Sequence, residues 1–591
     1  MKLNELKFMI ILAFLSCYFS HEVSSQAIFE EARIKPIDIV ILQKSLQSLA
    51  IKNVETGIYP QADGTDIVID AASNLVLNIP VVQHSSYRKY SGYYYEPYDV
   101  TYPPGYYGDQ IVSAETANLN GDDYPDAVVM TVTTSQINEF SDESDAINPE
   151  RVPRVHFLIN KGNGQFENGD YLIKGNIDRV YSYKHVMVGD LNNDGLDDIL
   201  TPSDGGGDAL TRDDGILILM SQPDGSYVDA TSSIEFPRTF TDRGEFTEEV
   251  MRLTTSVIIP VDVNNDGWKD IFTTGSTSPE AGYGFPNVLI NNQGKSFTPW
   301  NKYQGSNLGL FTLNEFIQFR GGQKADFDLD GSEDVVLMCY RQCFNSDTDY
   351  ADFKSGIVFL NEGADFSRQK ALPLPPGLFG DNSKYDNLDV GDVNGDGYPD
   401  IIFTMGKRDP YYANRAIQIL INDNGRGFID ETESRITDIR NEYNGHAEGS
   451  TYLIDYDNDG DLDIFDFQDN VRDGKAIHDS IGDDDQISYP YWNSGVAIFL
   501  NDGIGNFEYL DEDILHLREL SSALPENELW RLDILRTPYK VLPLDFGGEY
   551  GIGFILGMFA WHNSSNPAIP DVQTSSIATA RKIDQRDKFS R

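Results

Sequence analysis

Cysteine is scarce in this sequence, with 3 residues among 591. A network of disulfide bonds, which stabilises many small secreted domains, is therefore excluded as the basis of the fold. Cys339 and Cys343 lie close enough in sequence to close one small loop in an oxidising compartment. Since 40% of the chain is hydrophobic and 12% is aromatic, stability has to come from a large buried core.

Positive charge is also scarce, because 45 lysine and arginine residues stand against 94 aspartate and glutamate residues. The formal net charge of -49 repels nucleic-acid phosphates and anionic membrane surfaces. We therefore expect no nucleic-acid partner. A surface this acidic attracts cations instead.

Long apolar runs are missing, so the sequence predicts no membrane span, which requires about 18 consecutive apolar residues. The longest N-terminal run, Phe8 to Phe19, is shorter, follows two lysines and precedes a polar stretch with a cleavage site after Val23-Ser24-Ser25. This order is typical of a secretory signal, predicted over residues 1–25. Lipoprotein processing at Cys17 is an alternative. In both cases the mature protein is expected to be secreted or extracytoplasmic, which includes the periplasm and the cell surface.

A nine-residue acidic motif is present six times, at intervals of 72, 72, 64, 66 and 63 residues. We number these segments acidic loops 1 to 6. They read NLNGDDYPD from Asn118, DLNNDGLDD from Asp190, DVNNDGWKD from Asp262, DFDLDGSED from Asp326, DVNGDGYPD from Asp392 and DYDNDGDLD from Asp455. Recurrence at a nearly fixed period indicates a repeat architecture.

The segments around each acidic loop have the pattern of β-strands. Around loop 3, for example, Ile271-Phe272 follows the motif, Val288 to Asn291 forms a further apolar run, and Phe297 comes after a tight turn. Each repeat therefore predicts four antiparallel strands, with the acidic loop between the first and the second. Such sheets cannot bury both faces alone, and they stack radially as the blades of a propeller.

A seventh, degenerate repeat is predicted near the C-terminus, where Val541–Asp545 leads to Gly551–Leu556 without an acidic loop. Asp66–Ile69 and Leu75–Ile79 have the pattern of a hairpin that would complete this blade and close the ring. The predicted fold class is thus all-β, a seven-bladed β-propeller with calcium-binding hairpin loops. The predicted divisions are a signal peptide (1–25), an N-terminal helical segment (26–59), the closing hairpin with a Tyr-rich loop (60–109), the propeller (110–560) and a polar tail (561–591).

The acidic loops have the composition of calcium sites. Oxygen-bearing side chains at positions 1, 3 and 5 converge if the backbone curls around one point, glycine at position 6 permits the turn, and position 9 adds a carboxylate. Oxygen donors without histidine or cysteine favour Ca2+ over zinc or copper. The predicted metal ligands are Asp190, Asn192, Asp194, Asp198, Asp262, Asn264, Asp266, Asp270, Asp326, Asp328, Asp330, Asp334, Asp392, Asn394, Asp396, Asp400, Asp455, Asp457, Asp459 and Asp463. Loop 1 has Asn118, Asn120 and, in place of the glycine, Asp123, so weak or no binding is expected there.

Two alternatives compete with this interpretation. The first is an acidic hairpin without metal, which five full copies make less plausible because clustered carboxylates repel one another. The second is an EF-hand, which needs glutamate at position 12 between two helices. The residues at position 12 of loops 2 to 6 are Thr201, Thr273, Leu337, Phe403 and Asp466.

The acidic loops, placed on blade-like repeats, resemble those of FG-GAP and VCBS repeats, including the N-terminal propeller of integrin α subunits. The resemblance covers roughly residues 110–560 and is specific at five loops. It implies a seven-bladed propeller with calcium in the hairpins of one face and a partner on the other face. This favours a secreted adhesion or recognition module for an extracellular protein or glycan.

Catalysis is the alternative function. Neither HExxH nor GxSxG is present, so no catalytic residue is predicted from motifs. A polysaccharide lyase or hydrolase on the same scaffold would need a general base beside an arginine or a tyrosine. His478, with Arg472 and Tyr489, is the loop group with that composition.

Overall fold

The structure is a computed structural model. It describes residues 56–60, 65–70, 77–79, 82–84, 87–91, 98–102, 105–107, 109–133, 154–175, 185–202, 216–235, 238–240, 246–250, 255–275, 286–299, 319–339, 355–361, 366–408, 413–436, 449–468, 471–472, 475–476, 496–510, 538–547, 551–562 and 571–584.

Short strands precede the first repeat. They are β1 (Thr56–Pro60), β2 (Thr65–Asp70), β3 (Leu77–Ile79), β4 (Val82–His84), β5 (Tyr87–Ser91), β6 (Tyr98–Tyr102) and β7 (Gly105–Tyr107). The Tyr-rich segment, expected to be a loop, thus contains the antiparallel pair β5–β6.

The first three blades follow. Blade 1 has β8 (Asp109–Ala117), β9 (Asp126–Thr133), β10 (Arg154–Asn160) and β11 (Phe166–Asn168). Blade 2 has β12 (Ile173–Lys174), β13 (Met187–Gly189), β14 (Asp198–Pro202), β15 (Ile216–Ser221) and β16 (Tyr227–Asp229). After the hairpin β17 (Arg238–Phe240) and β18 (Phe246–Val250), blade 3 has β19 (Thr255–Val261), β20 (Asp270–Gly275), β21 (Pro286–Asn291) and β22 (Phe297–Pro299).

Three further blades complete the series. Blade 4 has β23 (Phe319–Ala325), β24 (Asp334–Cys339), β25 (Gly356–Asn361) and β26 (Phe366–Pro373), and blade 5 has β27 (Ser383–Gly391), β28 (Asp400–Lys407), β29 (Ala413–Asn422) and β30 (Phe428–Asp430). Blade 6 has β31 (Gly449–Ile454), β32 (Asp463–Gln468), β35 (Val496–Asn501) and β36 (Phe507–Tyr509), with β33 (Val471–Arg472) and β34 (Lys475–Ala476) between its second and third strands. One α-helical turn spans Thr432–Arg435, and 3-10 turns span Asp170–Leu172, Thr231–Ser233 and Gly380–Asn382.

Within every blade, strands that follow one another in the repeat pair antiparallel, as the sequence predicts. The exception is β12, which adds to blade 2 by pairing parallel to β16. Each acidic loop joins the first strand to the second. Loop 2, for instance, begins directly after Gly189 and ends at Asp198, and these two residues pair with each other. Strands such as β15, β24 and β25 are buried along their whole length, because neighbouring blades cover both of their faces.

The blades are arranged in a ring around a common centre. The first strands of blades 1 to 6 contact one another in order, and apolar clusters fill the space between neighbouring blades. Strand β37 (Pro538–Asp545) contacts the first strands of blades 6 and 1 and so closes the ring. Leu542, Leu544 and Phe546 pack against the core of blade 1. The fold is an all-β β-propeller.

In the part of the chain that the structure describes, the ring contains six blades of the predicted kind, not seven. In place of a seventh four-stranded blade there is an eight-stranded sheet, in the order β1-β2-β39-β38-β37 with β3, β4 and β7 attached. We call it the closing sheet; its other C-terminal strands are β38 (Ile552–His562) and β39 (Asp571–Asp584). It differs from a blade because strands from both ends of the described chain pair in it, and because no acidic loop joins β37 to β38.

The predicted closing hairpin is corrected in the same sheet. The segments Asp66–Ile69 and Leu77–Ile79 do not pair with each other; both pair antiparallel with β39, one after the other along its length. Residues 571–584 therefore supply a strand where a polar tail was expected. A strand pairs through its backbone, so a polar sequence can provide this template.

Other sequence predictions fall where the structure describes little. The signal peptide (1–25) and the amphipathic stretch Pro36–Asn53 lie outside the described residues. Cys339 is buried and disulfide-bonded, and its partner is also outside the described residues. Among the helices of the described segments, none is long and apolar enough to span a bilayer.

Candidate metal centres

The acidic loops wrap around the carboxylate at position 1. In loop 4, the amides of Asp330 and Gly331 donate to Asp326 Oδ1 and Oδ2 at 3.0 and 2.9 Å. The turn requires a left-handed backbone at Gly331, with φ of 91°. Loops 2, 3, 5 and 6 repeat these bonds to Asp190, Asp262, Asp392 and Asp455. The curl that the motif predicts is therefore formed by the backbone itself.

Two loops bring their carboxylates together tightly. Oxygens of Asp326, Asp328 and Asp334 in loop 4 lie within 4.8 Å of one another, and so do oxygens of Asp455, Asp457 and Asp459 in loop 6. These are the two loops in which the sequence places carboxylates at all four predicted ligand positions, 1, 3, 5 and 9. All donors are hard oxygens, so the donor set fits a hard divalent cation such as Ca2+.

Loops 2, 3 and 5, the full-motif loops with asparagine at position 3, are arranged differently. Asn192 and Asn394 donate from their amide nitrogens to Asp194 and Asp396 at 3.2 and 3.1 Å, so positions 3 and 5 bond to each other. In loop 3, Asn264 Oδ1 accepts from the amide of Asp266, a bond that Asp328 and Asp330 also make in loop 4. Among the described residues, close groups of three carboxylates are found in loops 4 and 6 only.

The charge of loop 6 disfavours further ionisation within it. Burial, and next the negative charge of Asp459, raise the pKa of Asp457. The same two causes raise the pKa of Asp461, at position 7, to about 6. A bound cation would remove this repulsion and lower both pKa values.

Position 9 has a role that the sequence analysis missed. Asp400 is fully buried, and its carboxylate accepts from the amides of Val393 at 3.1 Å and Asn422 at 2.8 Å. Burial raises its pKa to about 7. The same pair of hydrogen bonds is accepted by Asp126, Asp198, Asp270, Asp334 and Asp463. This residue ties the acidic loop to the end of the third strand whether or not it also binds a metal.

The asparagine that ends most third strands was the available signal for this contact. Asn422 also donates to the carbonyl of Phe327 in the preceding blade at 2.8 Å, and Asn501 donates to that of Val393 at 2.8 Å. Each such asparagine therefore holds its own acidic loop and joins it to the neighbouring blade.

Loop 1 is built differently. Asn118 accepts from the amide of Gly121 at 2.9 Å and does not receive the two amides that wrap position 1 elsewhere. The absence of a carboxylate at this position explains the change. The expectation of weak or no metal binding at loop 1 remains a prediction.

Substituting Gly425 should disturb loop 4 from the next blade. A Cβ at Gly425 would lie 2.8 Å from Cα and Cβ of Asp328, whereas a Cβ at Gly225 would meet nothing within 4 Å. Both glycines have left-handed backbones, with φ of 75° and 78°. Gly425→Ala should therefore cost about 1–3 kcal/mol more than Gly225→Ala, measured by urea unfolding in calcium. Equal losses would show that this contact is unimportant.

A second acidic group lies on the first strands of the blades, the strands that contact one another around the ring. Glu115 and Asp389 lie on the first strands of blades 1 and 5, and Tyr452 lies on that of blade 6. Burial, and next the charge of Asp389, raise the pKa of Glu115 to about 8. Burial raises the pKa of Asp389 to about 6, although the amides of Leu453 and Val390 bond to it.

Comparisons with known proteins leave the family open. No family model matches the sequence, and no curated protein matches it. The FG-GAP and VCBS resemblance therefore remains a prediction.

The solved structures that align with most of the chain include three rhamnogalacturonan lyases. They are the exotype rhamnogalacturonan lyase YesX (TM-score 0.35, 12% identity, 86% of this chain and 76% of that one), a Bacillus licheniformis rhamnogalacturonan lyase (0.34, 11%, 89% and 90%) and the rhamnogalacturonan lyase YesW (0.24, 11%, 85% and 73%). These values carry no argument about activity. The propeller assignment comes from the sheets described above.

Proposed function

We propose that this protein is an exported β-propeller that binds Ca2+ at its acidic loops and recognises an extracellular glycan or protein with its opposite face. The observation that supports calcium binding best is the group of Asp326, Asp328 and Asp334 in a loop whose backbone curl recurs in four other blades. The ligands would be the side chains at positions 1, 3, 5 and 9 of loops 2 to 6. Calcium would neutralise the loops and fix their shape.

Recognition is assigned to the opposite face because the acidic loops occupy one end of each blade. The connections between second and third strands lie at the other end, and such loops on a rigid scaffold are suited to binding. A glycan array and an extracellular-protein array, each probed with the calcium-loaded protein, test this assignment. The proposal predicts retention of one class of ligand without turnover.

A second candidate function is cleavage of a polysaccharide. The observation that favours it is the pair of carboxyl groups of Glu115 and Asp389, which interact electrostatically with each other and with Tyr452. The pKa values of the two carboxyl groups are both raised and differ from each other, so one group can donate a proton to a substrate while the other accepts one. Rhamnogalacturonan, after which the compared lyases are named, and other acidic polysaccharides are the substrates to assay. Turnover that Asp389→Asn abolishes would replace the recognition module by an enzyme.

Glu115→Gln should stabilise the protein at alkaline pH. The pKa of Glu115 is about 8 in the folded protein against an ordinary value of 4.5, so the folded state holds a proton that the unfolded chain has released. This stabilising contribution is complete below about pH 4.5 and is lost as the pH rises through about 8. Glutamine stays neutral throughout.

Thermal unfolding at several pH values measures this effect. The melting temperature of Glu115→Gln should approach that of the wild type near pH 5 and exceed it by several degrees near pH 9. Glu508→Gln, at an exposed residue of blade 6, is the control and should show no such trend. A constant difference between the Glu115 variant and the wild type would contradict the assignment.

A further inference from the structure

Neighbouring acidic loops are joined by direct hydrogen bonds. Asn193 Nδ2 in loop 2 donates to the carbonyl of Gly267 in loop 3 at 3.0 Å. Asn265 Nδ2 in loop 3 donates to Ser332 Oγ in loop 4 at 2.9 Å. Both asparagines occupy position 4 of their loops, which none of the predicted ligands does. Acidic loops of three successive blades thus form one connected series.

The backbone explains why asparagine serves at this position. Asn193 and Asn265 have left-handed backbones, with φ of 56° and 57°. Asparagine adopts this conformation more readily than most residues and carries a short amide that can reach the next loop. Loop 4 has Leu329 there, also left-handed at 57° and about half exposed. A leucine has no side-chain amide to donate, so this kind of bridge ends at loop 4.

Each bridge ends on a residue that holds a predicted ligand. The amide of Gly267 donates to Asp262 Oδ2 at 2.8 Å, and the carbonyl of the same glycine accepts from Asn193. The amide of Ser332 donates to Asp330 Oδ1 at 2.8 Å, and its hydroxyl accepts from Asn265. A chain of two hydrogen bonds therefore connects each bridging asparagine to a predicted ligand carboxylate of the next loop.

We propose that Asn193 and Asn265 are positioning residues that couple cation binding at acidic loops 2, 3 and 4, so that occupancy of one site strengthens the next. The coupling rests on the proposed calcium function. It requires no new ligand, because the asparagines act through Gly267 and Ser332. Binding to the series should be cooperative, since each occupied loop presents its bridging amide in the geometry that favours the following loop.

Trp268 provides a reporter for loop 3. It stands at position 7, where its backbone amide donates to Asp266 Oδ1 at 2.9 Å. Terbium binds calcium-type oxygen sites, and a nearby tryptophan sensitises its luminescence. Trp268→Phe defines the background from the other tryptophans, so the remaining signal reports occupancy of loop 3 in the full chain.

A double-mutant cycle then measures the coupling. Asp194→Asn weakens the site in loop 2 while keeping an acceptor oxygen, and Asn193→Gly removes the bridge while keeping the left-handed backbone. Each variant should weaken terbium binding at loop 3 about fivefold, and the combination should add little to either alone. Asn458→Gly, which removes the left-handed position-4 asparagine of distant loop 6, should leave the loop 3 affinity unchanged.

The outcomes separate the two proposals. Equal loop 3 affinity in the wild type, Asp194→Asn and Asn193→Gly would overturn the coupling and leave calcium binding intact, as would losses that simply multiply. No Trp268-dependent luminescence in the wild type would overturn calcium binding at loop 3 itself. Asn265→Gly repeats the test at the next junction, where calcium titration calorimetry should show a reduced Hill coefficient.

Discussion

Removing calcium should lower the melting temperature of this protein by at least several degrees. A ligand that binds only the folded state contributes about 2.7 kcal/mol per site when its concentration is about 100 times its dissociation constant. Five loops have the full motif, so their combined loss on chelation is the largest effect expected for the molecule. Unpaired carboxylates then repel one another within each loop.

Differential scanning calorimetry in millimolar calcium and in excess EGTA measures this loss. Returning calcium should restore the transition, whereas magnesium should restore little, because it demands a tighter octahedral site and keeps several waters. Asp457→Asn combined with Asp459→Asn removes one of the five sites. The fall in melting temperature caused by EGTA should then be smaller by about the contribution of that site. Superimposable transitions in calcium and EGTA would contradict the proposed role of the loops.

Asp466→Ala should destabilise the protein by about 3–5 kcal/mol, because it leaves a buried arginine without its main partner. Arg415 is fully buried in blade 5 and bonds to both oxygens of Asp466 in blade 6, at 2.7 and 2.9 Å. Thr451 Oγ1 donates to the same carboxylate at 2.8 Å. The network continues through Asp386, 3.6 Å from Arg415, to Arg320 in blade 4.

The double variant Arg415→Met with Asp466→Leu distinguishes the cost of leaving one buried charge unpaired from the cost of disturbing the packing around the pair. Replacing both charges leaves neither ion unpaired, so its loss of stability should be much smaller than that of Asp466→Ala. Glu167→Ala breaks the exposed ion pair with Lys161 and should change the free energy of unfolding by less than about 1 kcal/mol. Urea unfolding compares the three variants. Equal losses in Asp466→Ala and Glu167→Ala would show that the buried pair contributes nothing special.

The repeat pattern predicted the blades because each one is encoded locally. The acidic loop, the apolar strand after it and the aromatic after the third strand recur at a nearly constant spacing, so one blade predicts the next. The closing sheet has no such pattern. Its strands from residues 56–107 and 538–584 pair although they are several hundred residues apart in sequence.

The site was predicted in part for the same reason. Positions 1, 3 and 5 lie within one short loop, so their convergence follows from the motif. The bonds of position 9 to the third strand lie within one repeat, and the asparagine that ends the strand was their sequence signal. Those of Asn193 and Asn265 reach the loop of the next repeat, and periodicity within one repeat carries no information about such partners. The same holds for Arg415 and Asp466, on different blades.

Calcium stoichiometry tests the central claim most directly. Equilibrium dialysis of the full chain against millimolar calcium, followed by elemental analysis of metal and protein, should give about five ions per chain, one for each of loops 2 to 6. Asp326→Asn with Asp328→Asn should reduce that value by one. A calcium content equal to that of the dialysis buffer would contradict the account.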